Sequence, residues 1–415
     1  MASPTDPGGA QPRISLSMIV RDEAERLEAC LNSVRGFVDE MLVLDTGSRD
    51  ATIAVAERCG ATVRELPWPG DFAPARNQAL EGLSGDWVLV LDADEQLAAE
   101  AREPLRRLIA DPQLLAITLL RQERGAVQAP YSRVSRLFRR HPQIRWSGRY
   151  HAMVDDSVTA LLQREPHWRL LHWGEPALLH DGYRPELLAG SDKAQRLRAA
   201  MQAELAERPG DPYASAKLAG LELSEGRPEQ AIALLQRGLA RCSAQEQPLR
   251  FELLLHLAMA LSGSDPLQAV TRYREALALP LEERLRLPAR LNLAALLLQQ
   301  GDPGAAASET EAACAAAPEL ALSWYNLGLI RRRLGDTGGA IEAYRRALSL
   351  NPEHPESHQN LAAALLLGGD IGGAREGIRQ AIRLLLQLGR AEEAASLRQR
   401  AGSLVRLDPE EPPDA

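Results

Sequence analysis

Residues 85–95, GDWVLVLDADE, decide the fold of the first half of the chain. The apolar run WVLVL is typical of a strand that a sheet buries on both faces, and two aspartates follow it directly. Strand-like runs at 14–20 (ISLSMIV) and 41–44 (MLVL) precede it and alternate with helix-like segments. This alternation predicts a mostly parallel sheet with helices on both faces, a class of sheet that binds ligands at the carboxyl ends of its strands.

Asp92 and Asp94 stand at such a strand end, one residue apart. Paired carboxylates there are candidates for holding a hard divalent cation, because Mg²⁺ and Mn²⁺ prefer oxygen ligands. Two acidic residues in an exposed loop are the alternative, and the position after an apolar strand favours the cation site. Glu95 extends the acidic cluster and is interpreted as the N-terminal residue of a helix, where negative charge is stabilising.

The second half of the chain repeats with a period of 34 residues. The features that recur at this interval are Asn292, Asn326 and Asn360, the pairs Gly301-Asp302, Gly335-Asp336 and Gly369-Asp370, and Pro318 with Pro352. A fixed period of this length resembles the tetratricopeptide repeat (TPR), in which stacked helix pairs bury a shared core. We expect about five such units over residues 211–405, some of them degenerate.

The composition is that of a soluble globular protein, with 45% hydrophobic and 25% charged residues. The formal net charge of −8 does not indicate the basic surface that nucleic-acid-binding proteins usually have, so nucleic acid is not an expected partner. Four widely separated cysteines predict buried, reduced thiols. No stretch approaches the roughly 20 apolar residues of a spanning helix, and the start of the chain lacks a signal-peptide pattern. A cytoplasmic location is therefore predicted.

Four stretches carry a resemblance to the family 2 glycosyltransferases, which have the GT-A fold. They are ISLSMIVRDEAERLEACLNSV (14–34), VLDTGSRDAT (43–52), FAPARNQAL (72–80) and GDWVLVLDADE (85–95). They follow the order and spacing of the family, and the chain is similar to a bacterial branch whose transferase domain precedes TPR units. Some members of that branch glycosylate peptides, including cysteine side chains.

The resemblance implies an α/β domain followed by an all-α domain. The expected divisions are a disordered lead-in (1–12), a Rossmann-like GT-A glycosyltransferase domain with a mostly parallel sheet (13–190), a TPR-like helical solenoid (191–405) and a disordered tail (406–415).

The resemblance also implies roles for residues of the first domain. Asp45 would contact the base or ribose of a nucleotide sugar, with Glu23 nearby. Arg76 would approach the base or the phosphates, and Asn77 would support its loop. Asp92 and Asp94 would hold the sugar diphosphate and a divalent metal, Mn²⁺ or Mg²⁺. Carboxylates accept hydrogen bonds from ribose hydroxyls and arginine pairs with phosphate, so these roles suit the residue types.

A weaker resemblance continues into RLFR (136–139), GRYH (148–151) and LHDGY (179–183). It implies that Arg136 supplies a basic group near the donor. It also implies that His180 is a candidate third metal ligand, with a purely structural histidine as the alternative.

One position departs from the family. Members place a glutamate after the histidine that matches His151, whereas this chain has Ala152. That glutamate is a candidate general base, which would deprotonate the acceptor. Asp155, Asp156 or His151 itself are the candidates to replace it. A thiol acceptor would need less help, because cysteine ionises readily. An impaired enzyme is the remaining alternative.

These features favour an inverting, metal-dependent hexosyltransferase that uses a nucleotide sugar, with UDP the expected carrier. The acceptor would be a peptide, protein or glycan, and the repeats would recruit the acceptor or a protein partner. The alternative is a TPR scaffold whose first domain binds a nucleotide sugar with little or no turnover; Ala152 favours it, and the DAD and ARN motifs oppose it. A nucleotidyltransferase ranks last, because residues 20–23 (VRDE) are not a glycine-rich phosphate loop.

Overall fold

The computed structural model describes residues 11–124, 130–148, 152–181 and 193–402, without the side chains of residues 193 and 196. Contacts along the chain divide it into two compact units between Glu207 and Arg208. The predicted domain boundaries stay predictions. The predicted tail, and all of the predicted lead-in except residues 11 and 12, lie outside the described residues. Within the described ranges, no helix is long and apolar enough to cross a membrane.

The first unit is built on one mixed sheet with flanking helices. Its described strands are β1 (Ile14–Val20), β2 (Glu40–Asp45), β3 (Thr62–Glu65), β4 (Trp87–Val90), β5 (Glu95–Leu97), β6 (Leu114–Glu123), β7 (Tyr131–Arg139) and β8 (Arg169–His180). Its described helices are α1 (Ala24–Val34), α2 (Thr52–Arg58), α3 (Phe72–Glu81), α4 (Ala99–Leu108), α5 (Asp155–Arg164) and α6 (Lys193–Glu207). The strand order is β3-β2-β1-β4-β7-β6-β8-β5.

Four parallel strands form the part of the sheet that the sequence predicted. β1 lies between β2 and β4 and runs parallel to both, and β3 pairs in parallel with β2. All four residues of β4 are buried, as expected for a strand that is covered on both faces. The predicted Rossmann-like sheet is therefore confirmed, and its carboxyl ends bring the segments after Val20, Asp45 and Val90 to one edge.

The other half of the sheet is mixed and brings further charged residues to that edge. β7 pairs antiparallel with β4 and β6, whereas β6 and β8 are parallel. The register of β6 and β8 sets Glu123 beside His180 at their carboxyl ends. The interpretation of Glu95 as the start of a helix is wrong: Glu95 begins β5, where it pairs with His180. The backbone of this short strand is fixed by pairing with β8 and not by a local helical period.

The second unit is a run of antiparallel helix pairs, which confirms the predicted TPR-like solenoid. Its described helices are α7 (Pro212–Ser224), α8 (Pro228–Arg241), α9 (Gln247–Leu261), α10 (Pro266–Leu277), α11 (Glu283–Gln299), α12 (Pro303–Ala316), α13 (Ala321–Arg333), α14 (Thr337–Leu350), α15 (Pro355–Leu367), α16 (Ile371–Gln387) and α17 (Ala391–Gly402).

The Gly-Asp pairs that repeat in the sequence form the turns inside three helix pairs. Gly335 has φ +80°, a left-handed conformation that glycine adopts without steric cost. The carboxylate of the following residue, Asp336, accepts a hydrogen bond from the backbone N–H of Gly339 at 2.9 Å and caps α14. Asp302 and Asp370 cap α12 and α16 in the same way. The repeat therefore encodes a helix end followed by a helix start.

A prediction about stability follows from the close packing within one helix pair. A Cβ added to Gly328 of α13 would lie 2.5 Å from Cε1 of Tyr344, whose side chain is fully buried in α14. We expect Gly328→Ala to lower the free energy of unfolding by about 1–2 kcal/mol, because overpacking outweighs the gain in helix propensity. Urea denaturation followed by circular dichroism measures the change.

Gly338→Ala is the matched control, because the nearest atom to its added Cβ is Asp336 Oδ1 at 4.0 Å. We expect this control to be as stable as the wild type or slightly more stable. Equal stability of the two variants would contradict the packing argument.

Candidate active site

The loops after β1 and β2 are hydrogen-bonded to each other at the carboxyl edge of the sheet. The N–H of Asp22 donates to Ser48 Oγ at 2.9 Å, and the N–H of Arg49 donates to Asp22 Oδ1 at 2.7 Å. The N–H of Glu23 donates to Thr52 Oγ1 at 2.8 Å. These bonds fix the start of α1, so the Glu23 carboxylate occupies a defined place beside the strand ends.

Asp45 is the last residue of β2, and its side chain hydrogen-bonds the turn that follows. Its Oδ1 accepts hydrogen bonds from the N–H groups of Gly47 and Ser48, both at 2.9 Å, and its Oδ2 accepts one from the Ser48 hydroxyl. The residue is 1% exposed. In this structure Asp45 therefore holds the loop that would face a nucleotide, and its direct contact with a base or ribose stays a prediction.

Asp92 is held between two buried arginines from different elements. Arg76 of α3 donates to Oδ1 and Arg136 of β7 donates to Oδ2, each through Nη2 at 2.6 Å. Burial would raise the pKa of Asp92, but the two guanidinium groups outweigh it and hold the pKa far below its ordinary value. The structure thus brings together three predicted donor-site residues, and the carboxylate stays ionised.

Arg76 and Asn77 also fix the segment that leads to Gly148. The Arg76 guanidinium lies over the ring of Trp146, 4.8 Å from its centre. Asn77 exchanges two hydrogen bonds with the Trp146 backbone, at 3.0 and 2.8 Å. Nη1 of Arg76 is buried and has no hydrogen-bond partner among the described residues. A buried, charged donor without a partner suits an anionic ligand such as a phosphate.

Asp94 faces a different set of partners from Asp92. Its Oδ2 lies 3.4 Å from Nε2 of His180 and 3.7 Å from Nη1 of Arg26. Burial would lower the pKa of His180, but hydrogen bonds to Asp94 and Glu123 outweigh it and raise the pKa to about 9. Arg26 also binds Glu23, with its Nη2 2.5 Å from Oε2. The two predicted ligands Asp94 and His180 therefore meet at one place.

Three further residues, Glu95, Arg121 and Glu123, connect Asp92 to Asp94 through ion pairs. Sequence reasoning missed Arg121 and Glu123 and placed Glu95 in a helix. Arg121 Nη1 lies 2.7 Å from Oε1 of Glu95, and its Nε lies 2.9 Å from Oε1 of Glu123. Glu95 is completely buried; its Oε1 lies 3.6 Å from Nη2 of Arg136, and its Oε2 accepts the N–H of Asp92 at 2.9 Å. Arg121 and Glu123 come just after the apolar run of β6. The same pattern, a charged residue at the end of an apolar strand, identified Asp92 in the sequence.

The result is a chain of side chains whose charges alternate in sign along the edge of the sheet. In order of contact it comprises Arg76, Asp92, Arg136, Glu95, Arg121, Glu123, His180, Asp94, Arg26 and Glu23. Each buried charge thus has an oppositely charged neighbour, which is the condition for stable burial of ions.

The donor atoms at Asp94 and His180 fit a divalent cation that replaces the proton on Nε2 of His180, because only a neutral imidazole binds a metal. A carboxylate and an imidazole are ligands for Mn²⁺, and His180 binds a second carboxylate through Nδ1, as metal-ligating histidines commonly do. Both oxygens of Asp92 already face guanidinium groups. Within the described ranges, no group of three or more histidine, cysteine or acidic side chains is arranged to hold a metal. Two protein ligands would leave the remaining positions for diphosphate oxygens and water.

Two of the three candidate bases lie at the start of α5. Asp155 and Asp156 form the first turn of α5, where Ser135 Oγ donates to Asp155 at 2.7 Å and Ser147 Oγ donates to Asp156 at 3.0 Å. His151 lies outside the described residues. The assignment of a base among these three residues stays a prediction.

Comparison with known proteins agrees with this architecture. Residues 15–171 match the family described as Glycosyl transferase family 2, and residues 321–354 and 343–376 match the tetratricopeptide repeat. The chain is 46% identical over 312 residues to a TPR repeat-containing protein of Synechococcus elongatus, covering 75% of this chain and 77% of the relative. The chain therefore belongs to the family 2 glycosyltransferases that carry C-terminal tetratricopeptide repeats.

Two further relatives are named as glycosyltransferases. The chain is 33% identical over 135 residues to an uncharacterized glycosyltransferase of Rickettsia bellii, which covers 30% of this chain and 46% of that protein. It is 27% identical over 148 residues to the SPbeta prophage-derived glycosyltransferase SunS of Bacillus subtilis, with 34% of each protein covered. The chain thus spans less than half the length of these two relatives.

Proposed function

We propose that this protein transfers a hexose from a UDP-linked sugar to a peptide, protein or glycan acceptor, with inversion and with help from a divalent cation. The observation that carries the proposal is the charged edge of the sheet, where Asp92 is held by two arginines and Asp94 meets His180. Family membership supports glycosyl transfer, and this edge supports a donor that carries a diphosphate.

Different residues of the chain would bind different parts of the donor. Arg76 would bind a phosphate oxygen through Nη1, which is buried and unpartnered among the described residues, while its Nη2 remains on Asp92. Asp92 and Arg136 keep that guanidinium in place, and Asn77 holds the Trp146 segment beside it. Asp94 and His180 would hold a Mn²⁺ or Mg²⁺ ion, and such an ion would neutralise charge on the diphosphate leaving group. Asp45 and Glu23 shape the loops where the nucleoside would lie.

Inversion requires a single displacement, with the acceptor attacking the anomeric carbon from the face opposite the diphosphate. A hydroxyl acceptor then needs a base, for which Asp155, Asp156 and His151 are the candidates. Ala152 is partly buried against an apolar cluster that includes Val154 and Val158, and its methyl side chain offers no proton acceptor. A cysteine acceptor needs less base assistance, since its thiolate is accessible near neutral pH.

The repeats are proposed to recruit the acceptor or a protein partner, because stacked helix pairs form extended binding surfaces. Ala152 also favours a second candidate function, a TPR scaffold whose first domain binds a nucleotide sugar with little or no turnover. The two functions differ in one measurable property, the release of free nucleotide.

The deciding experiment incubates the full chain with a panel of UDP-sugars and MnCl₂ and measures released UDP. We expect at least one donor to release UDP, EDTA to stop the release, and added Mn²⁺ to restore it. Binding detected by calorimetry without UDP release, in the presence of varied peptide and glycan acceptors, supports the scaffold. An absence of both binding and release across UDP-sugars contradicts the proposed donor.

A further inference from the structure

Glu123 is a buried carboxylate whose position is fixed from three sides. The residue is 5% exposed. Its Oε1 accepts hydrogen bonds from Arg121 Nε at 2.9 Å and from the Ser132 hydroxyl, and its Oε2 binds Nδ1 of His180. The parallel register of β6 and β8 sets its backbone directly beside that of His180. Glu123 therefore has little freedom to move away from the imidazole ring.

The ring of His180 has two nitrogen atoms with different partners. Nδ1 binds Glu123, and Nε2 lies 3.4 Å from Oδ2 of Asp94. A histidine ring rotated by half a turn would move Nε2 away from Asp94, and a hydrogen bond to Nδ1 prevents this rotation. The bond to Glu123 thus determines which nitrogen faces Asp94.

We propose that Glu123 is a positioning residue for the donor site. It holds the His180 ring so that Nε2 and the Asp94 carboxylate converge on one divalent cation. The inference rests on the proposed metal dependence and assigns a role to a residue that makes no contact with the cation itself. The competing role is purely structural: Glu123 would serve only to neutralise Arg121 inside the sheet.

Two substitutions separate these roles. Glu123→Gln removes the charge but keeps the length of the side chain. Glu123→Asp keeps the charge beside Arg121 but shortens the side chain, which takes the carboxylate out of reach of Nδ1. A positioning role predicts that both variants weaken cation binding, whereas a charge-neutralising role predicts that Glu123→Asp behaves like the wild type.

The experiment measures Mn²⁺ affinity by electron paramagnetic resonance on the full chain in the presence of UDP. We expect Glu123→Gln and Glu123→Asp each to weaken Mn²⁺ binding by about 10–100-fold, the usual effect of removing an outer-shell partner. In a His180→Ala background, neither change should weaken binding further, because its effect passes through the imidazole. Glu103→Gln, on the exposed face of α4, is the matched control and should leave the affinity unchanged.

A second measurement does not depend on the metal. Nitrogen-15 NMR of histidine-labelled protein reports the hydrogen bonding of both ring nitrogens of His180, and we expect the Nδ1 resonance to shift in both Glu123 variants. An unchanged resonance overturns the inference.

The binding data have separate meanings for the inference and for the proposed function. Wild-type Mn²⁺ affinity in the Glu123 variants, or an equal loss with and without His180, overturns the inference and leaves the metal site standing. A wild-type chain that binds no Mn²⁺ with UDP overturns both the inference and the proposed metal dependence.

Discussion

An Asp94→Asn variant is expected to lose sugar transfer by about 10³-fold or more while keeping its fold. Asparagine has nearly the shape of aspartate but lacks the charge that would hold a cation against the diphosphate. A bound cation contributes several kcal/mol of transition-state charge stabilisation, and each 1.36 kcal/mol corresponds to about a tenfold change in rate. The measurement is the initial rate of UDP release at limiting Mn²⁺, with melting temperature as the check on folding.

Asp111→Asn is the matched control for this prediction. Asp111 precedes β6 and pairs with Arg169 at the start of β8, so it lies at the opposite end of those strands from Glu123 and His180. We expect the control to release UDP at the wild-type rate. A similar rate in Asp94→Asn would contradict the role of Asp94 in metal-assisted transfer.

The sequence predicted the parts of the fold that depend on interactions between residues close together in the chain. A Gly-Asp pair can end one helix and start the next without help from distant residues, because glycine supplies the left-handed turn and aspartate the cap. The 34-residue period therefore predicted the helix pairs through its resemblance to the tetratricopeptide repeat. In the same way, the apolar run of β4 predicted a buried strand with Asp92 at its carboxyl end.

The network around the aspartates depends on strand pairing between distant segments, which no local pattern specifies. Arg136 reaches Asp92 because β7 pairs antiparallel with β4, and Glu95 is buried because β5 pairs with β8. Glu95 follows directly on an acidic cluster, and a three-residue strand has too short a pattern to be distinguished from the start of a helix. The meeting of Asp94 and His180 was predicted through family resemblance and not through any pattern in the chain.

The interior position of Arg136 leads to a large expected loss of stability when its charge is removed. The residue is 9% exposed, and it lies 2.6 Å from Asp92 Oδ2 and 3.6 Å from Glu95 Oε1. Burial would lower the pKa of Arg136, but the two carboxylates hold the pKa above its ordinary value. We expect Arg136→Met to reduce the free energy of unfolding by about 3 kcal/mol, because Asp92 and Glu95 then keep only one guanidinium partner each, Arg76 and Arg121, and their negative charge is compensated only in part.

Urea denaturation of the full chain tests this expectation, and two further variants show its cause. Arg107→Met, on the exposed face of α4, removes an arginine of a surface ion pair and should unfold close to the wild-type midpoint, since solvent screens that pair. Asp92→Asn added to Arg136→Met should recover part of the lost stability, because it removes one of the two carboxylate charges that faced Arg136, and the introduced amide oxygen can still accept the hydrogen bond from Arg76. If Arg136→Met unfolds like Arg107→Met, the buried charges are compensated without Arg136, and the alternating chain is not a stabilising network.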